Sequence, residues 1–529
     1  LVSGRSLNKA EHFCDQTGPS NATLIAAHFD RNGDLIKQLS FLNPDIVIDA
    51  SGPFQEYGQD GYKLIEACVE QKINYLDLAD GADFVNGVSR FDPAAKSADV
   101  FVLSGVSSFP VLTALVVKEL SMDLHTINDI KGGIAPSPFA GVGGNVIRAI
   151  AGYAGQRISL RKNGQFVAGY PLTSSMRYTV APPGYIPLKN TLFSLVDVPD
   201  LTILPKIFPD VQTVWMGAGP VPEILHRCLI GLSWLVRWKI ISSLSPLAKL
   251  MEYVMARVRW GEHRGGMFVE VTGKDIEGNV RTKSWHLLAE GRDGPLIPSM
   301  ASKAIIGKIL KGDVIQAGAR NAVHDIELND YDDLFSKRTI YTGFRDDKAS
   351  LLPHLYGRIL GNSWNGLPTK IKNMHKNIDD TEVQGLAVVQ KGSGFLSGII
   401  AKTIGFPETG TDIPVHVKFT IKDGVETWTR TFAGKSFFSI QSEGKGRSKG
   451  LLMEQFGPLT FGLALVPERN DILRLVLREW YFLGVKLPLW LGPRSTSYEQ
   501  VKNKVFNFHV EISHPLTGII VKYTGWLEE

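Results

Sequence analysis

About the first hundred residues alternate between two hydrophobic patterns. Short, unbroken apolar runs occupy Leu24 to Ala27, Asp45 to Asp49, Tyr75 to Leu78 and Val100 to Leu103. Helical spacing occupies Leu7 to Gln16, Leu35 to Leu42 and Gly58 to Gln71. An apolar run without alternation is a strand buried on both faces, and strands separated by helices build a parallel, doubly wound sheet. In such a sheet ligands sit outside the carboxyl ends of the strands. The residues that follow each run are therefore where function is sought.

The chain opens "LVSGRS". Leu1 and Val2 end a strand, Ser3 and Gly4 turn, and Ser6 stands where a helix N-cap would stand. In a dinucleotide-binding sheet the residue that ends the second strand selects the cofactor. A carboxylate there bonds the ribose of NAD, whereas an arginine accommodates the 2′-phosphate of NADP. Gly4, Arg5 and Ser6 supply a close approach, a planar fork of donors and a hydroxyl, with no carboxylate. The plain alternative is a surface arginine in a turn. On the cofactor reading the first strand and its glycine loop would precede Leu1, so the chain is expected to be an N-terminally truncated fragment.

The next strand end reads "DASGPF", where Ser51, Gly52, Pro53 and Phe54 let a cofactor lie across the backbone. Asp30, after the preceding strand, is placed to meet the adenine side. Tyr75, Asp77 and Asp80 end a central strand, where they are candidates to orient substrate or relay a proton. Asp80 is equally suited to capping the following helix.

"SGRS", "DASGPF", "YLDLADGADFV" and "LSGVSSFPVLTALVVKEL" together resemble the saccharopine dehydrogenase-like NADP-binding oxidoreductase family. The resemblance covers residues 1–125 and continues more weakly to about residue 340. It implies a Rossmann-like domain at 1–125, NADP (NADPH) as cofactor, a small-molecule substrate, and an α+β second domain at 126–345 that carries substrate and often subunit contacts, as in a homodimer. The family's GxGxxG is absent from this sequence. The alternative is a non-catalytic Rossmann scaffold that binds a ligand or a membrane surface.

Within the second region "GMFVEVTGKDIEGNVRTKSWHLLAEG" reads as a hairpin about Asp275 to Asn279, and "GGNVIRAIAGYAG" as a helix. His226, His263 and His286 are acid–base candidates with nothing to place them near the crevice. Arg264 suits a substrate carboxylate or, more simply, an ordinary strand-edge charge. The segment Cys228 to Trp260 is apolar but broken by Arg237, Lys239, Lys249 and Pro246, so no transmembrane span is expected. It reads chiefly as a helical pair packed on the sheet or over a pocket. Contact with a membrane surface through Trp234, Trp238 and Trp260 is the second option.

Beyond about residue 350 the pattern becomes β. After a helical lead-in, "VHVKFTI", "ETWTRTF", "LLMEQF", "TFGLALV", "DILRLVLREWYF", "FNFHVEIS" and "GIIVKYTGWL" read as strands of a mostly antiparallel, curled or barrel-like meander. Residues 346–529 thus form a third domain, with its boundary near Phe344 to Ser350. It resembles a domain of unknown function, of the DUF4166 type, found fused behind saccharopine dehydrogenase-like chains. Its aromatics suit an apolar ligand or, more commonly, a core.

At 529 residues the chain exceeds one hydrophobic core. A net charge of +4, spread along the sequence, argues against nucleic acid as a partner. Cys14, Cys68 and Cys228 form no ligand-spaced pair. No metal is expected, and a reducing, cytoplasmic location, with peripheral membrane contact left open, is expected.

Overall fold

The front of the molecule is built from the expected runs. A computed structural model describes residues 1–529 except 19–20, 142, 259, 349–351, 377–378, 395–396, 398–404 and 529. The order begins β1 (Val2–Gly4), α1 (Leu7–Gln16), β2 (Ala26–His28), α2 (Leu35–Leu42), β3 (Ile46–Asp49), α3 (Lys63–Glu70), β4 (Asn74–Asp77), α4 (Ala82–Gly87), α5 (Asp92–Ala98), β5 (Phe101–Ser104) and α6 (Thr113–Leu120). Both early helices start on a side-chain cap. Ser6 accepts from the Lys9 N–H, and Asp34 from the Lys37 N–H. The third helix starts later than Gly58 because that residue has φ 58°, outside the right-handed helical region.

These strands form two parallel sheets. β1 pairs with β2 in the register Val2↔Ala26, and β3, β4 and β5 pair in sequence. The second sheet is completed by β14 (Gly318–Asn321), which returns from much later in the chain to lie beside β5.

The middle region runs β6 (Thr126–Ala135), α7 (Gly144–Tyr153), β7 (Ile158–Lys162), β8 (Gln165–Gly169), β9 (Ser175–Tyr178), β10 (Thr191–Leu195), α8 (Asp200–Ile207), β11 (Thr213–Ala218), α9 (Glu223–Arg237), α10 (Ala248–Arg257), β12 (Gly265–Lys274) and β13 (Val280–Ala289). It ends with α11 (Ile297–Leu310), then α12 (Leu328–Phe335) and β15 (Ile340–Asp346). Seven of its strands make a mixed sheet in the order β15-β13-β12-β6-β11-β10-β9. The expected hairpin is β12–β13, and its turn is held by Asp275, whose Oδ1 accepts from the N–H groups of Glu277 and Asn279. One apolar core joins the front sheet to the middle one, running from Leu76 and Leu103 through Val116 to Val214, Trp285 and Ile305. Each such buried side chain contributes about 1.5–3 kcal/mol.

Among the described residues no helix is long and apolar enough to cross a membrane. Of Cys228 to Trp260, residues up to Arg257 form the rest of α9, a connecting turn and α10. Val236, Leu244 and Ala248 pack on Ala151, Ala154 and Leu172. The other face is not core: Trp238, Ile240, Leu250, Tyr253 and Trp260 are all exposed.

The third region has α13 (Leu355–Leu360) and α14 (Thr369–His375), then β16 (Thr381–Lys391), β17 (Gly410–Lys422), β18 (Val425–Phe432), β19 (Lys435–Glu443), β20 (Leu452–Phe456), β21 (Leu459–Glu468), β22 (Ile472–Phe482), β23 (Val485–Leu487), β24 (Arg494–Lys502), β25 (Val505–His514) and β26 (Gly518–Glu528). Adjacent strands pair antiparallel, β21 pairs with β22, and β16 pairs with β26. The sheet therefore closes into a barrel, with β23 as a short flap on β22. Its strands alternate, with Val415, Val417 and Phe419 inward and the residues between them outward. The helices α13 and α14 pack into the same core. Of the stretch Phe344 to Ser350, the first three residues belong to β15, and Ala349 and Ser350 lie outside the described residues. The barrel meets the middle region through Arg478 on β22, which bonds Glu262 at 3.1 Å and the Pro187 carbonyl at 3.3 Å.

Candidate functional site

The carboxyl ends of β1 to β4 form the crevice in which a parallel sheet binds ligands. At the end of β1, Gly4 has open space where a Cβ would stand, and Arg5 and Ser6 are exposed. Asp30, at the end of β2, is half-buried, and its Oδ1 accepts from the Asn32 N–H. At the end of β3, Asp49 is buried. Its carboxylate is ion-paired with Arg31 and accepts from the Tyr75 hydroxyl and from the Ser51 N–H. Arg31, which sequence reasoning passed over, also donates to the Gly61 carbonyl and stacks on the Tyr57 ring.

Ser51, Gly52 and Pro53 remain at the crevice surface, half-buried or exposed. Phe54 does not. It is 6% exposed and packs against Tyr57 and Phe84 in the core below. Its apolar ring gains more from that core than from a rim position. From the middle region, Asn145 at the start of α7 donates to the Gly52 carbonyl at 2.8 Å, so α7 is anchored over this strand end.

Tyr75 and Asp77 are fully enclosed. Asp77 Oδ1 accepts from the N–H groups of Ala79 and Gly105 and from the Ser104 hydroxyl. Gly105 has φ 68°, and a Cβ there would press on Val85 and Pro110, so the turn requires glycine. Burial pushes the Asp77 carboxyl up to about 7, against the partial offset of those hydrogen bonds. Asp80 is half-buried. It does not cap α4, whose N-cap is Gly81 with no side-chain bond, and it accepts instead from Gln55 at 2.9 Å.

Two further groups lie within electrostatic reach of Asp80. Asp197, in the loop between β10 and α8, is pushed up to about 6 by burial and by the charges of Asp83 and Asp80. The Tyr153 phenol at the end of α7 is raised by burial and then by Asp80 and Asp197. Asp80, Asp197 and Tyr153 thus share one electrostatic environment, although they come from distant parts of the sequence. Among the described residues no basic side chain pairs with Asp80 or Asp197. Neither Asp197 nor Tyr153 carries a local motif, and only the tertiary fold brings them to Asp80.

The other candidates lie elsewhere. His226 is buried, and burial lowers it to about 4. His286 is buried beside Ser284 and the Ala181 N–H. His263 flanks Glu262 at the surface. Arg264 is no strand-edge charge: it is 8% exposed and held by Glu262 and by the carbonyls of Ile186 and Pro187. Among the described residues no group of side chains is arranged to hold a metal. All three cysteines are free thiols.

A dinucleotide fits this corner at its adenosine end, where Gly4 leaves room and Arg5 is exposed, while the Ser6 side chain already caps α1. The described residues of these two sheets supply no glycine-rich strand-to-helix turn for the diphosphate.

Residues 367–527 match the model of a domain of unknown function, DUF4166. The match covers α14 and nearly all of the barrel, as the sequence led one to expect. Among solved structures the chain is similar to saccharopine dehydrogenase (L-Glu forming) from Saccharomyces cerevisiae, with 13% identity over 65% of this chain and 93% of that one and a TM-score of 0.43. It is also similar to a mutant meso-dapdh from Clostridium tetani E88, with 15% identity over 62% and 94% and a TM-score of 0.29. No curated protein matches. With TM-scores this low, the fold assignment rests on the chain's own strand order.

Proposed function

We propose that the front and middle regions form a nicotinamide-dinucleotide-dependent oxidoreductase unit that prefers NADP and acts on a small molecule. The observation that supports this most is Arg5 with Ser6 at the carboxyl end of a parallel strand, exposed, next to an open Gly4 and without a carboxylate. The dinucleotide, when bound, supplies the hydride chemistry. The chain's own residues bind and orient it, and they move the proton. Asp197 and Asp80 are the groups for that transfer. Burial has raised both, Asp197 to about 6, which is close enough to neutrality to hold or release a proton. Asp77 and Tyr75 support the strand ends from within. Two carboxyl groups with no basic partner favour a substrate bearing positive charge, an amine or imine.

Calorimetric titration of the protein with NADPH and NADH tests this reading. NADPH binding at least tenfold tighter than NADH is expected, and equal affinities or a preference for NADH would overturn it.

A second reading is compatible with the first and concerns location. Exposed Trp238 and Ile240, just after α9, and exposed Leu250 and Tyr253 on α10 are flanked in sequence by Arg237, Lys239, Lys249 and Arg257. Apolar rings flanked by basic side chains suit contact with an anionic membrane surface.

A further inference from the structure

Among the described residues, the barrel is not filled by its own side chains. It encloses a cavity of about 390 Å³, walled by inward residues such as Val417, Phe432, Leu463, Leu475, Val510 and Tyr523. Protein interiors pack at crystal-like density and leave few voids larger than a water molecule. A gap of this size deprives its wall of contacts, and its apolar wall offers water few partners. Its volume lies within the range of about 300–1,000 Å³ typical of small-molecule pockets.

The wall is polar in more than one place: Ser497 and Glu499 of β24 face the cavity, with Glu499 paired to His375 at 2.6 Å, and a patch on β18 to β20 centres on Glu454. Glu454 Oε1 accepts from Arg430 at 3.1 Å, from the Ser439 hydroxyl at 2.7 Å and from Gln441 at 3.0 Å. Arg430 also donates to the Ser439 hydroxyl at 2.8 Å. The patch therefore holds one cation and one anion, already paired. A ligand carrying a carboxylate would add an unbalanced charge to an interior that solvates it poorly. A hydroxyl adds none. It can donate to the carboxylate and accept from the guanidinium, and the rest of its molecule can lie against the apolar wall.

We propose that the barrel binds one slender, lipid-like molecule of the long-chain alcohol class, with its hydroxyl at the Arg430–Glu454 pair. This site is separate from the dinucleotide crevice and does not depend on the oxidoreductase reading.

The test is calorimetric titration of the whole chain with dodecanol and with dodecanoic acid at neutral pH. Dodecanol should bind at least tenfold more tightly than the acid. Glu454→Gln removes the anion but leaves the guanidinium, so the acid should gain at least tenfold relative to the alcohol. Leu475→Trp fills the cavity and should abolish alcohol binding with the melting temperature held. If that variant does not fold, Glu454→Gln decides alone. The proposal is overturned if wild-type protein binds neither probe, if the acid binds as well as the alcohol, or if Glu454→Gln leaves their ratio unchanged.

Discussion

Arg31, in the loop after β2, forms an ion pair with Asp49 at the last position of β3. Among the described residues the two parallel sheets share no hydrogen-bonded strand pair, so this contact ties them where their carboxyl ends meet. The Asp49 side chain is 3% exposed and that of Arg31 16%. Asp49→Asn should strip the arginine of its partner and destabilise the front region by about 1.5–3 kcal/mol, the scale of a hydrogen bond to a charged group. Thermal unfolding checks this, and an unchanged melting temperature would show that the pair is incidental.

The enclosed Asp77 sets a pH dependence. Its carboxyl stands near 7 when folded, above the ordinary value of 3.8. A raised carboxyl contributes stability that is fully present below about pH 4 and is lost as pH rises through 7. The span corresponds to about 4 kcal/mol. Asp77→Asn keeps an oxygen for Gly105, Ala79 and Ser104 but cannot ionise. The variant should melt above wild type at pH 8 and close to it at pH 4. A constant difference across that range would mean that Asp77 does not titrate there.

The exposed face of α9 and α10 gives a third expectation. Wild-type protein should float with anionic liposomes and should detach as salt screens its basic residues. Trp238→Ala with Trp260→Ala should stay folded and remain in the soluble fraction, because both rings are more than 60% exposed and support no core. Wild-type protein that never floats would remove the membrane reading.

Much of this architecture is written locally. The bounds of α1 and α2 follow from the caps Ser6 and Asp34 and an apolar stripe behind them. The seven barrel strands expected from alternation are present. Three others, β16, β19 and β24, escape notice because of what faces inward on them. Gly385 and Ala387 on β16 are small, Ser439 and Gln441 on β19 are polar, and Ser497 and Glu499 on β24 are polar. Hydrophobic alternation disappears where a strand contributes polar wall or leaves room for a helix. One example is Glu499, which bonds His375 of α14 at 2.6 Å. Barrel closure between β16 and β26, the return of β14 to the front sheet, and the electrostatic influence of Asp80 on Asp197 depend on partners far apart in the chain. No local pattern encodes them.

The most direct test of the dinucleotide site is Arg5→Ala, with NADPH and NADH affinities measured side by side. If the guanidinium meets the 2′-phosphate, the variant loses about 1–3 kcal/mol of NADPH binding, the range for a charge-assisted contact, and NADH binding stays within twofold of wild type. Equal losses for both cofactors, or none for either, would contradict the account.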